Sequence, residues 1–121
     1  MSSVVDFDID ERCTLTVIVN TKKHDGTARD ITGATIEWEA THNGIVKSTK
    51  TVGAGITLGT PASGLITYFT ISISPTDTIL DDNAEYGTPV VWFHEARIVL
   101  TTSEFIAIRG RMFVIPSQTG D

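Results

Sequence analysis

The chain is short of the features by which most functions announce themselves. It has one cysteine, nine basic residues against fifteen acidic ones, and no apolar run near the roughly 18 residues that a membrane span requires. A single thiol, Cys13, cannot form an internal disulfide. None is needed, because a chain of 121 residues buries about two-thirds of the surface its unfolded form exposes. Cys13 falls in phase with Leu15, Val17 and Val19, which predicts a small buried hydrophobe rather than a reactive thiol. The formal net charge of −6 repels phosphate backbones, and the basic residues are scattered apart from Lys22-Lys23 and the alternating Arg109 and Arg111. Neither nucleic acid nor a membrane is therefore an expected partner. The opening stretch, MSSVVDFDIDER, carries no basic leader region and no apolar one. An intracellular origin is expected.

Motifs that carry chemistry are incomplete. Asp6, Asp8 and Asp10 have the spacing of the first half of a calcium loop, but such a loop also needs a glycine at its sixth position and a glutamate at its twelfth, where this chain has Glu11 and Val17. These acids read as a solvated or docked acidic arm. His24, His42 and His94 lack the spacing of a zinc site. His94, beside Glu95, is read as a partly buried core histidine hydrogen-bonded to a neighbour, since no activated nucleophile lies nearby in sequence. Ser63, within Pro61-Ala62-Ser63-Gly64, lacks the strand-to-helix elbow of a hydrolase serine and reads as a turn residue. Gly53, Gly55 and Gly59 are followed by neither Gly-Lys-Ser/Thr nor a helix that could receive a phosphate, so they read as hinges or bulges. No catalytic residue, cofactor or metal site is assigned, and the chain is not expected to be an enzyme.

What the sequence does have is alternation with a period of two. From Thr35 to Val52 two strand-like runs flank Asn43-Gly44, a pair that tolerates the positive φ of a tight hairpin turn. Ile36, Trp38 and Ala40 share one face, and Glu37 and Glu39 the other. Cys13 to Val19 reads as a half-buried first strand. Ile45 to Val52 reads as a partly solvated edge, with Lys47 and Lys50 on opposite faces guarding it. Leu65 to Ser74 alternates cleanly. Ser74-Pro75-Thr76-Asp77 then starts a single helical turn that ends by Asn83. Val90 to Leu100, apolar on both faces, reads as a central strand covered on two sides. Phe105 to Ile115 closes the series, with Gly110 as a bulge. Trp38 and Trp92 read as core rather than as a sugar-stacking platform, and Tyr86 as a tyrosine corner. Within Met1 to Arg12, Val4, Val5 and Phe7 stand among polar and acidic residues, which reads as a flexible or partner-docked arm.

The pattern predicts an all-β fold: an antiparallel immunoglobulin-like β-sandwich of about seven strands with one short helical turn, a small closed barrel being the alternative. The expected organisation is an N-terminal arm over 1–12, the sandwich over 13–117 and a polar tail over 118–121.

The succession Asp30-Ile31-Thr32-Gly33-Ala34-Thr35-Ile36-Glu37-Trp38, Lys50-Thr51-Val52-Gly53-Ala54-Gly55-Ile56-Thr57, Pro61-Ala62-Ser63-Gly64 and Ser74-Pro75-Thr76-Asp77-Thr78, followed by His94-Glu95-Ala96-Arg97 and Val114-Ile115-Pro116-Ser117, resembles small immunoglobulin-like structural proteins of tailed bacteriophages. It is also similar to the N-terminal domain of phage baseplate upper proteins, although no second domain is expected within these 121 residues to carry a receptor function. The resemblance implies a non-enzymatic virion part, made in the host cytoplasm, present in many copies or as a homo-oligomer. It would contact capsid, neck or tail subunits. Val4, Val5 and Phe7 on the arm and Asn43, Gly44 and Lys47 at the hairpin are the expected contact residues. Removal of residues 1–11 is expected to leave the fold intact and abolish particle binding. The alternative is a carbohydrate-binding module for host-surface recognition.

Overall fold

Alternating β-branched and polar residues build nine strands in the computed structural model, which describes residues 3–80 and 88–116. They are β1 (Ser3–Val4), β2 (Phe7–Asp10), β3 (Leu15–Asn20), β4 (Thr35–His42), β5 (Ile45–Val52), β6 (Gly55–Leu58), β7 (Tyr68–Ile73), β8 (Val90–Val99) and β9 (Glu104–Ile115). A 3-10 turn, Pro75–Thr78, is the one helical element among the described residues. The strands bond in the order β1-β9-β8-β4-β5-β6-β7-β3, with β2 also alongside β9. The result is a single mixed sheet curled into a half-barrel. Side chains from β4, β7, β8 and β9 fill the inside of the curl, Trp38, Phe69, Trp92 and Met112 being the largest of them.

The all-β class and the single helical turn agree with the sequence. The sheet is not wholly antiparallel, however: β1 and β2 run parallel to β9, and β5 runs parallel to β6. The first of these departures comes from the supposed arm. Val5, Phe7, Ile9 and Glu11 turn inward while Asp6, Asp8 and Asp10 turn outward, so the three acids mark the wet side of a strand. Phe7–Asp10 pairs with Met112–Ile115, and Ile9 is buried. The N–H of Glu11 donates to Ile115 O at 2.8 Å. Its buried carboxylate accepts the Leu80 N–H at 2.9 Å. Arg12, at φ 62°, turns the chain and donates its N–H to Thr78 Oγ1 at 2.9 Å. Cys13 lies in this turn, before β3 begins, and its N–H bonds Asp10 O. It is therefore exposed, and the phase set by Leu15, Val17 and Val19 does not extend to it.

The hairpin tip has the positive φ its sequence requires, 53° at Asn43 and 78° at Gly44. Two residues along β5 the register shifts: Val46 faces Thr41, Ser48 faces Ala40, and Lys47 is the extra residue of a bulge. The shift turns Ser48 and Lys50 inward. On β5, β6 pairs only with Thr51 and Val52, so among the described residues 45–50 keep a side without a partner strand, where Lys47 is exposed while Lys50 turns inward. Lys50 reaches past Trp38, its register partner, to place Nζ 2.7 Å from Asp77 Oδ2. Ser48 Oγ donates to Asp77 Oδ1, and the Ser74 N–H and hydroxyl both donate to Oδ2. Burial pushes the Asp77 carboxyl up, but Lys50 and these donors outweigh it and hold it below the ordinary 3.8. Gly55 is needed for this contact, since a Cβ there would collide with the stem of Lys50.

Two expectations for the last strands are corrected. β8 is covered on one side only: Trp92, His94, Ala96 and Ile98 are buried, whereas Val91, Phe93, Arg97 and Val99 are exposed. Gly110 is not a bulge. The extra residue of β9 is Ala107, where pairing passes from Ala96↔Ile108 to Arg97↔Ile106, and Gly110 sits in register with His94. Tyr86 and the 118–121 tail lie outside the described residues.

Because β1 and β2 supply part of the core, removing residues 1–11 is expected to abolish cooperative folding rather than spare it. Ile9→Ala alone is expected to cost about 2–4 kcal/mol. Urea unfolding followed by far-ultraviolet circular dichroism measures both, and a truncated chain with the full-length midpoint would place this segment outside the fold.

Candidate functional site

Pairing register brings two rows of side chains together on the outer face of the sheet. In one row Val4 lies beside Arg109, Arg109 beside Glu95 and Glu95 beside Glu39. In the next, Asp6 holds Arg111, and Arg111 lies beside Phe93, which lies beside Thr41. Between them runs a groove of about 440 Å³. Phe93, 55% exposed, is its aromatic surface, and Val4, 76% exposed, stands at one side.

Charge lines the rest of the groove. Asp6 accepts the Arg111 N–H at 2.8 Å and its Nη2 at 3.1 Å, and these bonds, the backbone one foremost, hold its carboxyl below the ordinary 3.8. The Arg111 guanidinium also lies 5.4 Å from the Phe113 ring centroid. Glu95 faces Arg97 at 3.5 Å. Among the described residues, the Arg109 guanidinium and the Glu39 carboxylate have no ion-pair partner, so one group of each sign is available to a ligand. An exposed apolar centre with charges of both signs around it is a surface suited to protein contact.

The groove depends on a histidine that points the other way. On the inner face, Trp38 Nε1 donates to His94 Nδ1 at 3.3 Å. The imidazole proton is therefore on Nε2, which donates to Val5 O at 2.7 Å. Phe7 packs on the same ring, centroids 4.9 Å apart. Burial lowers the His94 pKa below 6.5, against the opposing pull of the Val5 carbonyl and Asp6. With both nitrogens engaged, the ring acts as a clamp on the N-terminal strand. Above the clamp, the backbone of Val5 passes so close to Gly110 that a Cβ there would strike its carbonyl oxygen.

The sequence-derived contact residues divide into two groups. Val4 lines the groove, while Val5 and Phe7 are half-buried and hold the strand that carries it. Asn43, Gly44 and Lys47 are exposed on the hairpin and do not line the groove. Phe93, Arg109 and Glu39 were not legible as a site. The available signal was phase: Glu95 and Arg97 share a face with Phe93, and two charges on one side of a strand mark that side as wet. Trp38 and Trp92 are each 1% exposed, and the half-buried Tyr68 has its ring against Gly59, so none of the three offers a free platform for a sugar. Ser63 occupies a turn at φ 53°, and no serine lines the groove. Among the described residues no three His, Cys, Asp or Glu side chains gather to hold a metal.

Two outcomes follow from the clamp. Gly110→Ala is expected to push the N-terminal strand off β9 and cost about 2–3 kcal/mol through lost hydrogen bonds; an unchanged urea midpoint would refute the close approach. His94 is neutral in the fold with a pKa depressed below 6.5, so the unfolded chain binds the extra proton. Its stabilisation is complete above pH 6.5 and is lost as the pH falls through the folded-state value. Asp6 and Asp77, both held below 3.8, lose theirs only in a more acidic window. Thermal melts between pH 7 and pH 5 are expected to show a drop that His94→Gln lacks.

No family model matches the chain, and no curated protein matches it in sequence.

Proposed function

We propose that this protein is a non-enzymatic accessory subunit of a tailed-phage particle, present in many copies and attached to capsid, neck or tail subunits through its outer groove. The observation that carries the reading is the exposed Phe93, set with Val4 among Arg109, Glu39 and the Asp6–Arg111 pair. Nothing in the core of a monomer requires a phenylalanine there, and a partner that covers it gains both the apolar area and the two unpaired charges. The order of neighbours supports the immunoglobulin-like resemblance: β9-β8-β4-β5 and β3-β7-β6 repeat the G-F-C-C′ and B-E-D neighbours of an immunoglobulin domain. The mixed sheet then corresponds to the two halves of such a domain joined through the short β5–β6 pairing. A glycan-binding role is the weaker reading, because both tryptophans that would have served it are buried.

Mass spectrometry of purified particles from the encoding phage is expected to find the chain. Phe93→Lys, at an exposed position, is expected to leave the melting curve intact and remove the protein from the particles. Absence of the chain from the particles, or incorporation of the F93K variant at the wild-type level, would sink the proposal.

A further inference from the structure

We infer that two copies of this chain join by antiparallel pairing of their β3 edges, with Ile18 of one copy opposite Ile18 of the second. Among the described residues β3 ends the sheet and pairs only with β7. The Thr21 N–H donates to Thr67 O, which continues the β3–β7 register. In an antiparallel ladder hydrogen-bonded pairs alternate along the strand, so the odd-numbered residues of β3 direct their N–H and C=O at β7. Thr16, Ile18 and Asn20 direct theirs away. Among the described residues nothing receives them: a cleft of about 270 Å³ runs beside Val17 to Lys22 and separates this edge from Val5, Phe105 and Ala107.

The edge is complementary to itself. With Ile18 on a two-fold axis, Thr16 lies opposite Asn20 of the second copy and Val17 opposite Val19. The three even-numbered positions are those whose backbone groups are free, so each such pair exchanges both of its hydrogen bonds. Faces match as well, since Thr16, Ile18 and Asn20 are outer residues, while Val17 and Val19 turn inward. The pairing also accounts for Ile18, which is 63% exposed on an edge strand.

Self-complementarity, with no charge at this edge to repel a copy, fits a second copy as the occupant. A protein of net charge −6 opposes self-association over most of its surface. Leu15–Asn20 is a strand without a charged residue, and it has none of the usual guards of an exposed edge, neither lysine nor proline nor a bulge. The inference does not rest on the phage reading. It leaves the outer groove free, so failure of one does not bear on the other.

Sedimentation velocity on the full chain, from micromolar to millimolar concentration, is expected to show a dimer. Ile18→Lys places two ammonium groups at the axis and is expected to abolish it without shifting the melting curve. A hydrogen-bonded antiparallel pair has its Cα atoms about 5.5 Å apart, within disulfide range. The I18C variant in a C13S background is therefore expected to form an intermolecular disulfide on mild oxidation, whether or not I18K folds. A monomeric wild-type chain, a dimer that survives I18K, or a dimer that the I18C, C13S variant fails to crosslink would each overturn the inference.

Discussion

The bond from His94 Nε2 to the Val5 carbonyl, 2.7 Å long, joins the first strand of the chain to the centre of the sheet. Trp38 fixes the proton on that nitrogen by donating to the other one, so β4, β8 and the N-terminal strand meet at one imidazole. Val5 in turn donates its N–H to Arg109 O at 2.8 Å, which sets β1 against β9. From there the outer face follows by register alone: Val4 beside Arg109, and Asp6 over Arg111. A buried polar group is retained at a cost unless its bonds are satisfied. Here the satisfied bonds decide where an exposed surface is built on the opposite side of the same strand.

A second polar contact plays the corresponding part elsewhere in the sheet. Lys50 and Asp77 are both largely shielded, with side-chain exposures of 14% and 13%, and a buried ion pair of this kind is a weak source of net stability. Its effect is positional. The bulge at Lys47 turns Ser48 and Lys50 inward, and Asp77 collects both of them together with the Ser74 N–H. The 3-10 turn is thereby tied to β5, while Glu11 ties Leu80, two residues beyond it, to the N-terminal strand. Two carboxylates, Glu11 and Asp77, thus anchor the one irregular stretch between β7 and β8 among the described residues.

Much of this was legible in the sequence, and the failures have physical causes. The Asn43-Gly44 turn, the inward row of Ile36, Trp38 and Ala40, and the Ser74-Pro75 helical start are local signals, and local geometry obeys them. The first strand was missed because its inner row, Val5, Phe7 and Ile9, was outweighed by three acids that looked like a solvated tail. Those acids alternate, and alternation rather than mean polarity was the informative property. The bulges at Lys47 and Ala107 have no local signature, since each arises from fitting one strand to two neighbours. Gly110 carried a signal that was real but ambiguous: a glycine inside a strand marks either a bulge or a close backbone approach, and only the partner, Val5, distinguishes them. Phe93 was hidden by its apolar neighbours, whose exposure depends on what covers the sheet rather than on the strand itself.

The groove is also the part of the fold whose contacts are most distant along the chain. Val5 and His94 are separated by 89 residues, and Asp6 and Arg111 by 105. Contacts of such separation require the chain between them to be ordered first, because the loop-closure entropy is otherwise uncompensated. The β4–β5 hairpin and the β8–β9 pair involve much shorter closures and can form before the ends of the chain meet. Pairing of the N-terminal strand with β9 completes the inner face with Ile9 and the outer face with Val4 and Asp6 at once. The groove is therefore complete only on a finished fold, since the residues that close the core and the residues that line the groove alternate along one strand. Under the proposed role, recognition of the groove would by itself discriminate against incompletely folded copies.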